Sequence, residues 1–361
     1  MIFFKKIFFS FTPHHVTDCM LKEKEVTIYD LADKLNISIA TVSRGLQDDP
    51  VVSKKTKKKI IDLAEKMGYR SNHFARNLRN QRTNTIGVIA NRLNSYFMST
   101  VIAGIEKTAN GYGYNLIITQ SLESSQKEIA SAKTMFNSRV DGLLVTLSYE
   151  TNNLNHFDQF TRKKVPVLFF DRCEEHDHFT KILIDNKKAA YEATMHLAQQ
   201  GCKRIVHITA PQKRSLYRER MNGYRQALIE NNLEFTDDLI YISNLSMEAG
   251  SDAVKYILNM KPLPDGIFVA NDNCAVGCMV ALKQAGIRIP EDIAIVGFNN
   301  DPVSIVVEPN LTTINYSGYE MGEVAARNLI NHLNGTNPIH STNTIILRSE
   351  LIIRDSSLRK K

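Results

Sequence analysis

Val26–Gln47 reads VTIYDLADKLNISIATVSRGLQ, Val52–Asn72 reads VSKKTKKKIIDLAEKMGYRSN, and His73–Asn80 reads HFARNLRN. Thr27 followed by Asp30 is a capping-box pattern, which predicts a helix carrying Tyr29, Leu31, Ala32 and Leu35. Asn36 stands where a tight turn between helices needs a residue that tolerates the left-handed conformation. Ser38 then caps a second short helix, with Thr41 at its third position and the side chains from Ile39 to Gln47 alternating between buried and exposed. In a third helix Ser53 is the cap, Ile60, Leu63, Ala64 and Met67 form one apolar stripe, and Gly68 ends it. Two short helices joined by a few residues are the helix-turn-helix unit, whose second helix enters the major groove of DNA. Residues 26–71 therefore read as an all-α, DNA-reading headpiece.

The net charge is +7, and its placement matters more than its size. Between Val26 and Arg82, twelve Lys and Arg stand against six Asp and Glu, a surplus of +6 and so nearly all of the excess. A phosphate backbone requires such a footprint, although the Lys54–Lys59 run taken alone equally suits a solvated face. Helix starts at Ser38 and Ser53 present free amides to phosphate. Ile39, Ala40 and Arg44 share the exposed face of the second helix; Arg44 can pair bidentately with guanine, while the other two offer only apolar contact. Residues 72–84 read as hinge and linker: Asn72–Asn80 is polar with Phe74, Ala75 and Leu78 on one side, too short to be a stable helix alone but able to form one beside a copy of itself on DNA.

These strings resemble the headpiece of the lactose-repressor and galactose-repressor family of bacterial transcription regulators. The match is dense from Val26 to Arg79, the TVSR core at Thr41–Arg44 is specific, and the order of elements after Thr85 agrees. The resemblance implies base contacts from Ile39, Ala40 and Arg44, with Thr27, Thr41, Ser43, Thr56 and Tyr69 joining Ser38 and Ser53 on the phosphates. It implies further DNA contacts from Gln47, Asn72 and Ala75, and a hinge helix whose Leu78 wedges into a central base step and kinks the duplex. The family usually has Gly at the position of Asn36 and often Pro at that of Ser71, so the approach to the hinge is expected to be looser here.

A chain of 361 residues holds two or three domains, and at 43% hydrophobic with no apolar run of membrane-spanning length its composition is that of a soluble protein. Five scattered cysteines without CxxC spacing, Cys19, Cys173, Cys202, Cys274 and Cys278, fit a reducing compartment and no disulfide framework. Cys274 and Cys278 would share a helix face as core packing. The opening MIFFKKIFFSFTPHH is interrupted by Lys5 and Lys6 and stops at Pro13 without a cleavage pattern, so it is not read as a signal peptide. Residues 1–25 are expected to be an extension, with residues 1–19 disordered or a misassigned start and Met20 the alternative start. A cytoplasmic protein without membrane association follows.

From Thr85 the pattern changes to strands alternating with amphipathic helices. Ile86–Ala90, Asn115–Thr119, Gly142–Thr146 and Val167–Phe170 are predicted strands, separated by helices at Met98–Asn110, Gln126–Asn137 and Asn152–Arg162. After Asp185 the unit repeats, with strands Ile205–Ile208, Leu239–Ile242, Ile267–Ala270 and Ile293–Val296. This periodicity means doubly wound parallel α/β sheets, and eight strands in one run imply two lobes with a cleft at the strand carboxyl ends. The resemblance implies the periplasmic-binding-protein type of fold, with residues 85–184 and 314–343 as first lobe and residues 185–313 and 344–361 as second.

No constellation for chemistry emerges. NGYGYN at Asn110–Asn115 closes a helix rather than opening one, and neither GxSxG nor HExxH occurs. The His176-Asp177-His178 cluster reads as a solvated loop, so no metal, cofactor or catalytic residue is expected. The cleft is better argued as a ligand site. Tyr96 and Phe97 open the helix after the first strand; Asp171, Asn271-Asp272 and Asn299 end strands; Arg220 starts a helix. The resemblance implies effector contacts from Phe97, Asp171, Arg220, Asn271 and Asn299, although many members carry Asp where Asn299 stands, and an amide donates as well as accepts. Asp171 and Asp272 equally suit helix or turn caps. The reading is a repressor on a pseudo-palindromic operator, allosterically controlled by a sugar-like or nucleobase-like molecule. A homodimer is favoured because Ser356–Lys361 has no leucine heptads. A transport solute-binding protein or an enzyme of the same fold are the rivals, opposed by the headpiece and by the missing chemistry.

Overall fold

The computed structural model describes residues 26–69, 82–173, 179–336 and 344–359. Expectations for residues 1–25, for Ser71, Asn72, Ala75, Leu78 and the rest of the hinge helix, and for His176-Asp177-His178 lie outside the described residues. The chain divides into two units, Met1–Asn80 and Gln81–Lys361.

Among its described residues the first unit builds three helices from local signals. The backbone N–H of Thr27 donates to the Asp30 carboxylate at 2.7 Å, closing the expected capping box at the start of α1, Ile28–Leu35. Asn36 ends α1 at φ 50°, ψ 46°, the left-handed conformation its place demanded. Helix α2, Ile39–Leu46, starts at Ser38, whose hydroxyl accepts from the Thr41 N–H at 3.1 Å. Helix α3, Lys54–Lys66, starts the same way at Ser53, and Gly68 turns the chain away at φ 65°. Leu31, Ala32, Val42, Ile60 and Ala64 close a small core, with Leu63, Met67 and Tyr69 half-buried around it.

The second unit holds two six-stranded sheets. In order, the first is β11-β5-β4-β3-β1-β2 and the second β12-β10-β9-β8-β6-β7. The first sheet uses β1 Thr85–Ala90, β2 Asn115–Gln120, β3 Gly142–Val145, β4 Val167–Phe170, β5 Thr180–Ile184 and β11 Thr344–Leu347. The second uses β6 Ile205–Thr209, β7 Ile240–Ile242, β8 Gly266–Val269, β9 Ala294–Asn299, β10 Thr312–Asn315 and β12 Glu350–Ile352. Every neighbouring pair is parallel except β10 with β12. Strands β3, β4, β6 and β8 are buried along their whole length, as parallel strands covered on both faces must be.

The helices of the first lobe are α4 Tyr96–Gly111, α5 Ser125–Asn137, the short α6 Asp158–Arg162 and, late in the chain, α11 Gly318–Leu333. The second lobe carries α7 Asn186–Gln199, α8 Ser215–Glu230, α9 Met247–Ile257 and α10 Asp272–Gln284. Helices α4 and α11 touch backbone to backbone: a Cβ on Gly104 would lie 2.1 Å from the Tyr319 carbonyl oxygen, and one on Gly322 2.0 Å from that of Val101.

Three expectations are corrected and one gap is filled. Thr180–Ile184 is a strand that the sequence pattern leaves unassigned; it is held between β4 and β11. All four residues of β10 pair with β9, so the return to the first lobe comes after Asn315 and not at Thr313. Residues 344–361 do not all belong to the second lobe: Thr344–Leu347 pairs with β5 in the first sheet, and Glu350–Ile352 joins the second. The helix expected over Asn152–Arg162 is a 3-10 turn at Asn155–Phe157 followed by α6.

Candidate nucleic-acid interface and ligand cleft

Helix α2 buries Val42 and Gly45 and exposes Ile39, Ala40 and Arg44, with Gln47 exposed just past its end. The face expected to read bases is therefore the solvent face. Thr27, Ser38 and Ser53 are exposed, and Thr41, Ser43, Thr56 and Tyr69 are half-buried beside them. Ser38 Oγ and Thr41 Oγ1 lie 2.8 Å apart and Ser53 Oγ and Thr56 Oγ1 2.9 Å apart, so each capping hydroxyl is oriented by its neighbour. Lys57 is not part of a free basic face: its ammonium donates to the Asp48 carboxylate at 2.6 Å and to the Asp48 carbonyl at 2.8 Å, and this bond holds the Asp48 carboxyl below its usual range. Lys54, Lys55, Lys58 and Lys59 remain exposed. Tyr29, 63% exposed on α1, is an aromatic that the sequence pattern does not assign to the interface.

In the second unit four of the six expected cleft residues gather around Tyr316, which the sequence does not single out. Phe97 packs on the Tyr316 ring at 4.8 Å, and the Tyr316 hydroxyl donates to Asn299 Oδ1 at 3.3 Å. The Arg220 guanidinium lies 3.5 Å from the centre of the Phe298 ring, itself 5.7 Å from Tyr316. Its Nε donates to Asn186 Oδ1 at 2.9 Å and its Nη1 to the Ala270 carbonyl at 2.8 Å, so the group is fixed before any ligand arrives. Burial pushes the Asp171 carboxyl above its usual range, opposed by the positive charges of Arg172 and Arg220. Burial, reinforced by the Asp171 charge, likewise raises the Tyr316 hydroxyl, which stays a neutral donor.

Tyr96 and Asn271 do not join this group. Tyr96 is 51% exposed at the start of α4, while Phe97 is buried. Asn271 Oδ1 accepts from the Cys274 N–H at 2.8 Å and its Nδ2 donates to the Leu245 carbonyl at 3.0 Å, so the side chain serves as the cap of α10. Asp272 is buried, accepting from the Asp301 N–H at 2.8 Å and the Thr313 hydroxyl at 2.7 Å; burial pushes its carboxyl up to about 7. Burial also pushes Asp301 up to about 6. Cys274 and Cys278 are buried free thiols.

The comparisons with known proteins agree with both units. Residues 27–72 match the model of bacterial regulatory proteins, lacI family, and residues 194–357 match a periplasmic binding protein-like domain. Catabolite control protein A of Priestia megaterium is 32% identical over 310 residues, covering 86% of this chain and 93% of that protein. The chain belongs to the lacI family of bacterial regulatory proteins. The HTH-type transcriptional repressor CytR of Escherichia coli K12 is 31% identical over 336 residues, 93% of this chain and 97% of that one. A Lac repressor dimer solved with operator and the anti-inducer ONPF shows the same fold, with a TM-score of 0.82 at 24% identity over 93% of this chain and all of that chain. This lacI-family chain is thus a DNA-binding transcription regulator and not an enzyme.

What sequence reasoning missed in this lacI-family cleft is its framework. Glu123 accepts from Arg172 Nη1 with both carboxylate oxygens at 2.9 Å and from the Tyr149 N–H at 3.0 Å. Leu122 and Glu123 take left-handed φ of 50° and 65° and Asp171 one of 59°, a conformation that costs non-glycine residues about 1–3 kcal/mol each and collects at functional sites. No signal of spacing marks these residues. They meet only because the carboxyl ends of β2, β3 and β4 open on one edge of the first sheet, with β1 between β2 and β3.

Proposed function

We propose that this regulator is a cytoplasmic repressor that binds a pseudo-palindromic operator as a homodimer, with a small molecule in the cleft between the lobes setting its affinity for DNA. One observation carries the reading: α2 buries Val42 and Gly45 against the headpiece core and turns Ile39, Ala40 and Arg44 outward between two serine-capped helix starts. Arg44 would pair with a guanine edge, Ile39 and Ala40 with thymine methyl groups, and Thr27, Ser38, Thr41, Ser43, Gln47, Ser53, Thr56 and Tyr69 would hold the backbone. Asn72, Ala75 and Leu78 would form the hinge contacts, with Leu78 as the wedge at a central CG step.

The cleft reading rests on Phe97, Asp171, Arg220, Asn299 and Tyr316, which combine aromatic faces with fixed donors and acceptors suited to a sugar or nucleobase. An effector that changes how the lobes close would change the angle between the first lobes of a dimer, and so the spacing of the two hinges. The Lac repressor neighbour was solved as a dimer on its operator, and here Val280, Ile305 and Val306 are exposed apolar residues of the second lobe, which a dimer would cover.

Purified protein titrated onto its own upstream DNA and onto random duplex of equal length tests the first half. Specific retardation is expected, and equal affinity for both would sink the regulatory assignment. A thermal-shift screen of sugars and nucleobases tests the second, since a cleft ligand raises the melting temperature by mass action. A screen in which no member of either class raises it would remove the sugar or nucleobase assignment.

A further inference from the structure

The two lobes are joined at the rim of the cleft by bonds that need nothing but the chain itself. Arg214, immediately before α8 in the second lobe, is fully buried, and its Nη2 donates to two carbonyls of the first lobe, Tyr149 at 3.2 Å and Thr151. The Tyr149 and Tyr217 hydroxyls lie 2.7 Å apart across the seam, and the Ser215 hydroxyl donates to the Cys173 carbonyl at 3.2 Å. The Lys213 ammonium reaches the Glu150 carbonyl at 3.2 Å.

The first-lobe side of the contact is held rigid from behind. The segment after β3 is fixed by Glu128, whose carboxylate accepts from the Ser148 N–H at 2.7 Å and the Thr151 hydroxyl at 2.8 Å, with His156 Nε2 at 2.9 Å. The Tyr149 ring is gripped by the Arg172 guanidinium 4.3 Å from its centre, while its far side packs on the apolar core of the second lobe. A rigid pair of carbonyls facing a buried guanidinium has two discrete states, made or broken, rather than a graded one.

We propose that Lys213–Tyr217 and Tyr149–Thr151 form a clasp that holds the lobes closed in the absence of any ligand, so that the closed cleft is the resting state of this regulator. An arriving molecule then binds only the fraction of chains whose clasp has opened, and its apparent affinity falls by that fraction. The inference rests on the two-lobed unit and not on the DNA reading.

The test is a distance measurement made without DNA on the full chain. Nitroxide labels are placed at the exposed Lys133 of the first lobe and Lys255 of the second, as K133C and K255C with Cys19→Ser, the described native cysteines being buried. Protein is stripped of small molecules by unfolding and refolding, and labelled chain is diluted with unlabelled chain so that pairs within one chain are read. Wild type should give one narrow distance, and Arg214→Met a broadened distribution shifted to longer distance. Should Arg214→Met fail to fold, Tyr217→Phe combined with Ser215→Ala removes two of the bonds without touching the guanidinium and should broaden the distribution in the same direction. A broad wild-type distribution, or folded variants as narrow as wild type, overturns the clasp; retardation of operator DNA is scored separately, so the two readings fail independently.

Discussion

The headpiece and the cleft put the residues proposed to work in them in opposite places. In the headpiece they are exposed or half-buried, belong to one short run of sequence, and are positioned by caps that bond within a helical turn, as Ser38 does with Thr41. In the cleft they are buried or half-buried and come from distant parts of the chain, as Phe97 and Tyr316 do in ring contact at 4.8 Å. The first arrangement is fixed by local chemistry, the second only by the order of strands in two sheets. An exposed site works through screened charge and is tuned by salt; a buried one works through desolvated groups and is tuned by protons.

Salt gives the largest expected effect and separates the two regions directly. If about six or more phosphates are engaged, operator affinity should drop about 10³-fold or more between about 50 and 200 mM salt. Ligand affinity in the cleft should change little over the same range, because Arg220 and Asp171 are shielded from ions. Paired titrations of DNA and ligand check this; a nearly flat salt dependence for DNA would rule out the docking of α2 and its flanking caps proposed above.

Protons give the next effect, and it belongs to the larger unit. Burial raises Asp272 from 3.8 to about 7 and Asp301 to about 6, so between the unfolded and folded values the folded state holds protons that the unfolded chain has released. Stability conferred by the protonated acids is full below the unfolded value and lost as pH rises towards 7. A tenfold change in a carboxyl's proton affinity between the folded and unfolded chain corresponds to about 1.4 kcal/mol, so these two acids pull the melting temperature of the larger unit down across this window, against His207, which burial lowers to about 3 and which pulls it up. Asp272→Asn should make the slope less negative and Asp272→Asn with Asp301→Asn should do so further, the remainder belonging to Asp171, which burial also raises, and to His196 and His207, which burial lowers. Calorimetry from pH 4 to 7 decides, and an unchanged slope in the double variant would place the titration elsewhere.

Arg44→Ala tests whether exposure on α2 means base reading. The loss should be about 1–3 kcal/mol of specific affinity, with base preference relaxed at one position of each half-site. Unchanged affinity and preference would reduce α2 to a backbone contact.

How much is legible follows from the same contrast. Thr27, Asn36, Ser38, Ser53 and Gly68 mark the helix boundaries because caps and left-handed turns depend on residues a few positions apart. The parallel sheets are legible from buried apolar runs, but Thr180–Ile184 and Thr344–Leu347 are not, since each is a strand chiefly because the other completes the sheet edge. In the cleft, Asp171 and Asn299 are marked by standing at strand ends, and Phe97 and Arg220 by standing early in the helices that follow strands. Tyr316, Glu123 and Arg172 are not, because no local pattern states that a buried hydroxyl or ion pair will face them. Asn271 differs: it too stands at a strand end, but its Oδ1 caps α10 and its Nδ2 donates to the Leu245 carbonyl.

The smallest expected effect probes how strictly local the headpiece is. Asn36 holds φ 50°, and among non-glycine residues asparagine tolerates this conformation best. Asn36→Gly removes the remaining strain in the folded state but also frees the unfolded chain, and the second effect opposes the first by about 0.4–1 kcal/mol. The two nearly cancel, so headpiece stability should shift by no more than about 0.5 kcal/mol. The same exchange at Asp171, left-handed at φ 59° but charged and buried against Arg172, should instead weaken ligand binding while leaving the headpiece unchanged. Denaturant melts of the two variants, with ligand titration on each, make the comparison. A large loss at Asn36 would show that its side chain, and not only its backbone conformation, holds the turn; an unchanged ligand affinity at Asp171→Gly would remove that carboxyl from the site.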